Sequence, residues 1–161
     1  YVQFVTGHFR GAEKKISEEN VAKVYDFFKG HTFYMQKTFN EVFADTSANE
    51  ECSGEKIKAA ISVLVDSYDT IFREILSNVP EKQKELLYAI AIDGEASSIT
   101  SSAFIRRHRL SSASSVQSAV KKLLEKDLVT VGHKVYSISD RFFALWLATQ
   151  MGPDDPLQSL V

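Results

Sequence analysis

The sequence predicts a mainly α protein with a small β-hairpin: a helical bundle followed by a winged helix-turn-helix. Three observations lead there. Apolar residues recur at spacings of three and four through most of the chain, while Gly (7) and Pro (3) are sparse. Two short apolar runs, residues 128–131 and 135–138, flank Gly132-His133-Lys134, a hairpin signal. In the second half the order is helix, short helix, tight turn, helix, hairpin, which is the order of a winged helix-turn-helix.

The first half reads as helices. Val21, Val24, Tyr25 and Phe28 place a helix over 18–29, with Ser17 before it and Gly30 as its stop. Phe33, Gln36, Phe39, Asn40 and Phe43 place a second over 32–44, a short linker away. Tyr1, Phe4, Val5 and Phe9 suggest the end of a helix upstream. Residues 45–54 are polar and read as a loop. Then Ile57, Ile61, Leu64, Val65, Tyr68, Ile71, Phe72, Ile75 and Leu76 hold one register, predicting a single long connecting helix over about 55–78 that ends before Pro80.

In the second half, residues 80–92 form a helix with Leu86, Leu87, Ala89 and Ile90 inward, and Asp93-Gly94 stops it. A short helix over 101–108 carries Phe104 and Ile105. The third helix, 114–126, puts Val116, Ala119, Val120, Leu123 and Leu124 on one face, and Ser111 or Ser112 caps it. A last helix, 141–150, carries Phe142, Phe143, Leu145, Trp146 and Leu147. The expected organisation is a helical domain over 1–79, a winged-helix domain over 80–151 and a tail over 152–161.

Composition narrows the function. Hydrophobic residues are 44% and charged residues 25% of 161, the balance of an ordinary globular chain. No apolar run reaches membrane-spanning length, so no membrane partner is expected, and a single cysteine, Cys52, fits a reducing, cytoplasmic setting. The chain opens at Tyr1 without an initiator Met and reads as a piece of a longer protein. Net charge is −3 over residues 1–80 and +3 over residues 81–150, a sign change that suits two modules with different partners.

Catalytic and metal signatures are absent. No Gly-x-x-x-x-Gly-Lys-Ser/Thr occurs, so nothing cradles phosphates, and the four histidines lack metal spacing. Ser118 and Lys121 match Ser-x-x-Lys, but they lie on the expected recognition helix with no second motif. The chain is therefore read as non-enzymatic, with no catalytic residue, metal or cofactor of its own.

Four segments carry a family resemblance. They are Gly30-His-Thr-Phe-Tyr-Met-Gln36, Pro80-Glu-Lys-Gln-Lys-Glu-Leu-Leu-Tyr-Ala-Ile-Ala91, Ser111-Ser-Ala-Ser-Ser-Val-Gln-Ser-Ala-Val-Lys-Lys-Leu123 and Tyr136-Ser-Ile-Ser-Asp-Arg-Phe-Phe-Ala-Leu-Trp146. The chain resembles the C-terminal part of prokaryotic AAA-like, signal-transducing (STAND) ATPases of the archaeal-ATPase-like kind. These have a P-loop domain, a helical lid and a C-terminal winged helix. The resemblance implies a parent that binds ATP and Mg²⁺, with an N-terminal P-loop domain as partner. It also implies a nucleotide contact at Gly30, His31 and Thr32, where the family carries Gly-x-Pro and this chain has lost the proline.

The residues themselves nominate a second surface. Ser112, Ser115, Gln117, Ser118, Lys121 and Lys122 lie on the outer face of the third helix, where Ser and Gln can bond base edges and Lys can neutralise phosphate. Arg106, Arg107 and Arg109 on or after the second helix, with His133 and Lys134 in the wing, could touch a DNA backbone. The leading expectation is a non-catalytic regulatory fragment of a P-loop ATPase, its winged helix serving protein or DNA contacts. The alternative is a DNA-binding winged-helix transcription regulator that dimerises through the long helix.

Overall fold

Side-chain caps begin four helices near where the apolar spacing places them. Ser17, Ser101 and Ser112 each accept a hydrogen bond from the amide three residues on, and Asp140 accepts from Phe142 and Phe143. Each cap satisfies a donor that the helix cannot, worth about 1 kcal/mol. The computed structural model describes residues 1–161 and divides into two units, Tyr1–Ser67 with Asp155–Val161, and Tyr68–Asp154.

The first unit contains α1 (Val2–Gly11), β1 (Lys15–Ile16), α2 (Glu18–Phe27), α3 (Thr32–Asp45), β2 (Glu51–Cys52) and α4 (Gly54–Ser67). Its core is Val5, Phe9, Val21, Val24, Phe28, Met35, Phe39, Val42, Ile57 and Ile61. The polar segment read as loop contains β2, which pairs in parallel with β1 through Lys15↔Glu51 and Ile16↔Cys52. Two-residue strands are too short to leave a period in the sequence. Lys56 ties this segment down, 2.8 Å from Glu50 and bonded to the Asp45 carbonyl. Cys52 is fully buried beside it, and burial pushes its thiol up to about 11.

Residues 155–161 are not a free tail. They form a 3₁₀ turn (Gln158–Leu160) that buries Leu157 and Leu160 against α2 and α4, and Lys58 pairs with Asp155. Gly54 makes this approach possible, because a Cβ there would stand 2.4 Å from the Leu160 carbonyl oxygen.

The second unit contains α5 (Asp69–Ser77), α6 (Glu81–Asp93), β3 (Ala96–Ser97), α7 (Ser102–Arg107), α8 (Ala113–Glu125), β4 (Val129–Gly132), β5 (Val135–Ile138) and α9 (Arg141–Met151). The sheet runs β3-β5-β4, all antiparallel, with Val129↔Ile138 and Gly132↔Val135 fixing the hairpin register. Helices α8 and α9 both pack on α6, around Leu86, Leu87, Ile90, Leu123, Phe142, Phe143 and Leu147.

The single long helix expected over 55–78 is two helices, broken at Tyr68. Ile57, Ile61 and Val65 are buried in the first unit, whereas Phe72 is buried in the second. One apolar register thus feeds two cores, and a periodic pattern does not reveal where the chain changes core. The division after Ser67 also replaces the boundary expected after residue 79, because α5 packs with α9.

Gly54→Ala is expected to destabilise the first unit by about 1–3 kcal/mol, since its methyl group can be housed only by moving backbone. Thermal unfolding followed by far-ultraviolet circular dichroism checks this; an unchanged midpoint would mean that the C-terminal turn is not held against α4.

Candidate functional site

The outer face of α8 is set by its inner one. Val116, Ala119, Val120 and Leu123 are buried, which turns Gln117, Ser118, Lys121 and Lys122 to solvent. Ser115 is half-buried, and Ser112 is committed to the cap, accepting from the Ser115 amide at 3.2 Å. Arg109, at φ 54°, turns the chain between α7 and α8, and the Leu110 amide closes the turn on the Ile105 carbonyl at 2.9 Å.

The predicted contact residues do not form an equal set. Gln117, Ser118, Lys121 and Lys134 are exposed, and their side chains make no hydrogen bond or ion pair. Lys122 lies 2.9 Å from Glu125, and its bond holds that carboxyl below the usual carboxylate range. Arg106 bonds only the Ser102 carbonyl of its own helix, at 3.4 Å. Arg107 pairs with Asp93 and lies over the Phe104 ring, 5.5 Å from its centroid. His108 lies 3.0 Å from the other oxygen of the same carboxylate. Sequence reasoning passed over Asp93 as a helix stop and His108 as a lone histidine. Asp93 ends α6 and Arg107 ends α7, so only the packing of those helices brings the three together.

The wing is short. His133 and Lys134, at φ 50° and 63°, are the two central residues of a two-residue hairpin turn. Both lie in the left-handed region, the signature of a type I′ turn, for which Asn-Gly is the favoured pair. The wing therefore presents one imidazole and one ammonium group.

Gly30, His31 and Thr32 lie in the first unit, in the turn from α2 to α3. Gly30 has φ 72°, and a Cβ there would stand 3.0 Å from the Tyr25 hydroxyl oxygen. Its amide closes on the Tyr25 carbonyl at 3.0 Å. These constraints demand glycine whatever else the turn does. His31 is the N-cap residue of α3 without a side-chain cap bond. An aromatic cleft of about 330 Å³ opens between α1 and α3, lined by Tyr1, Phe4, His8, Gln36, Phe39 and Asn40 among others, and Gly30, His31 and Thr32 do not line it. No three His, Cys, Asp or Glu side chains converge on a metal-sized site, and no helix is long and apolar enough to cross a membrane.

Residues 70–149 match the family described as a probable winged helix domain. The chain contains a winged helix domain. Its matched span opens within α5, in keeping with the packing of that helix on α9. No curated protein and no solved structure matches the chain. In the winged helix, α6, α7 and α8 form the helical core with α8 in the recognition position, and β4, β5 and their turn form the wing.

Replacing His133-Lys134 by Asn-Gly is expected to raise the stability of the winged helix by about 0.5–1 kcal/mol, since both positions then favour positive φ. Denaturant unfolding followed by fluorescence of Trp146, the single tryptophan, reads it. A loss of stability would mean that the wing side chains make contacts worth more than the turn strain.

Proposed function

We propose that this chain is a non-catalytic regulatory segment of a P-loop ATPase, with its winged helix as the contact module. The observation that carries the contact role is the face of α8, where Gln117, Ser118 and Lys121 are exposed and their side chains make no hydrogen bond or ion pair. Support for the ATPase parent is the resemblance of the segments at 30–36, 80–91, 111–123 and 136–146. In that parent, ATP and Mg²⁺ belong to the P-loop domain, and the lid-like helices and winged helix relay its state to a protein or DNA partner.

The charge on the winged helix argues for weak, sequence-tolerant contact with nucleic acid. Of Arg106, Arg107, Lys121, Lys122 and Lys134, the cations expected to contact phosphate, Arg107 and Lys122 already face Asp93 and Glu125, which leaves Arg106, Lys121 and Lys134. No Arg lies on α8 to read guanine in the major groove. The alternative, a DNA-binding regulator, is favoured by the position of Lys121 on the recognition helix, exposed and with its one acidic neighbour, Glu125, already bonded to Lys122.

Duplex DNA titrations at several salt concentrations test this. Three phosphate contacts give a log–log salt slope near −2.7, so affinity is expected to fall by roughly 40-fold between about 50 and about 200 mM salt. Lys121→Ala is expected to lower affinity evenly across sequences and to flatten the slope by about 1. Tight, sequence-selective binding that survives about 200 mM salt would replace the ATPase-segment reading with the transcription regulator. No binding at about 50 mM salt would assign the α8 face to protein contacts alone.

A further inference from the structure

One cluster in the winged helix has a contested hydrogen bond. The Asp93 carboxylate, at the end of α6, faces Arg107 Nη2 through one oxygen and His108 Nε2, at 3.0 Å, through the other. Arg107 Nε lies 3.3 Å from the same His108 Nε2, as a donor to it. The three side chains differ in exposure: His108 is 8% exposed, Asp93 18% and Arg107 58%. His108 is pinned further by Phe104, their ring centroids 4.6 Å apart.

One nitrogen cannot serve both neighbours in the same protonation state. A bare Nε2 accepts from Arg107 Nε but sets its lone pair against the Asp93 oxygen. A protonated Nε2 donates to Asp93, but then presents an N–H to the Arg107 N–H. In the imidazolium it also sets two positive charges side by side. The buried imidazole and half-buried carboxylate have little room to move, whereas the guanidinium has solvent beside it. Arg107 is therefore the member that yields.

We propose that Asp93, Arg107 and His108 form a proton-operated latch in which protonation of His108 commits Nε2 to the Asp93 carboxylate and frees the Arg107 Nε–H from the imidazole. The charged groups that meet the imidazole are Asp93 from α6 and Arg107 from its own segment. The step starts from the Nδ1–H imidazole, whose bare Nε2 accepts from Arg107 Nε, and moves one proton from water to Nε2; no covalent bond between heavy atoms changes. The freed Nε–H, on a guanidinium that is already 58% exposed, is a donor at the end of α7 available to an anionic group such as a phosphate or carboxylate. The inference rests on the geometry of the cluster and not on the ATPase parent or on DNA binding.

Proton–nitrogen correlation spectra of the full chain test it, with the Arg107 Nε signal assigned by its disappearance in Arg107→Lys. As pH is lowered in steps, that signal is expected to move with the same midpoint as the His108 ring protons. In His108→Gln, checked for folding by circular dichroism, the signal is expected to stay in place. An Arg107 signal that does not move in the wild-type chain while the His108 ring titrates would overturn the latch. So would a movement that persists in folded His108→Gln.

Discussion

The packing of α5 on α9 carries the orientation of the rest of the winged helix. Phe72 is buried beneath Phe143 and Trp146, with ring centroids 5.1 and 5.8 Å away, and Tyr68 meets Phe142 at 5.9 Å. Asp69 closes the contact from the polar side, accepting from Trp146 Nε1 at 2.9 Å and from Arg73 Nε at 2.7 Å. The Arg73 bond, with the Trp146 bond second, holds the Asp69 carboxyl below the usual range. Its ionised form is thus favoured by folding, and that contribution is present at neutral pH and fades as pH falls through and below the ordinary aspartate range. Helix α9, held in this way, packs on α6, and α6 carries α8. The recognition helix is thereby placed by a chain of contacts that starts at Phe72.

This chain of contacts shapes what the surface can do. Burying Val116, Ala119, Val120 and Leu123 fixes which side chains of α8 face outward, and these are short or neutral apart from Lys121, Lys122 and Glu125. Glu125 sits one turn from Lys122, and Asp93 sits against Arg107. The basic excess legible in the sequence is therefore partly spent inside the domain. Exposed pairs of this kind are weak, about 0–1 kcal/mol, so they lower the local positive field without locking the side chains.

Much of this was legible in the residues. The spacing of Leu86, Leu87 and Ile90, and of Val116, Val120 and Leu123, fixed two helices to within a residue or two at each end. Ser112 was readable as a cap, and residues 135–138 as a strand. What escaped lacks a period or depends on tertiary packing. Ala96–Ser97, too short to alternate, became an edge strand by pairing with Tyr136 and Val135. The break at Tyr68 was hidden because Val65 and Phe72 share a register while serving different cores. Periodicity turned Gln117, Ser118, Lys121 and Lys122 outward, as found, but did not show that Ser115 is half-buried or that the partners of Arg107 emerge once α6 and α7 are packed.

The central claim is that the winged helix is incomplete without α5. Chemical unfolding of Phe72→Ala in the full chain, followed by the fluorescence of Trp146, tests it most directly, because the only tryptophan lies in the contact under test. The account predicts a loss of about 3–5 kcal/mol in the transition that Trp146 reports, the usual consequence of truncating a buried Phe. A loss below about 1 kcal/mol would contradict it, because an aromatic side chain that can be removed at so little cost is not part of the core.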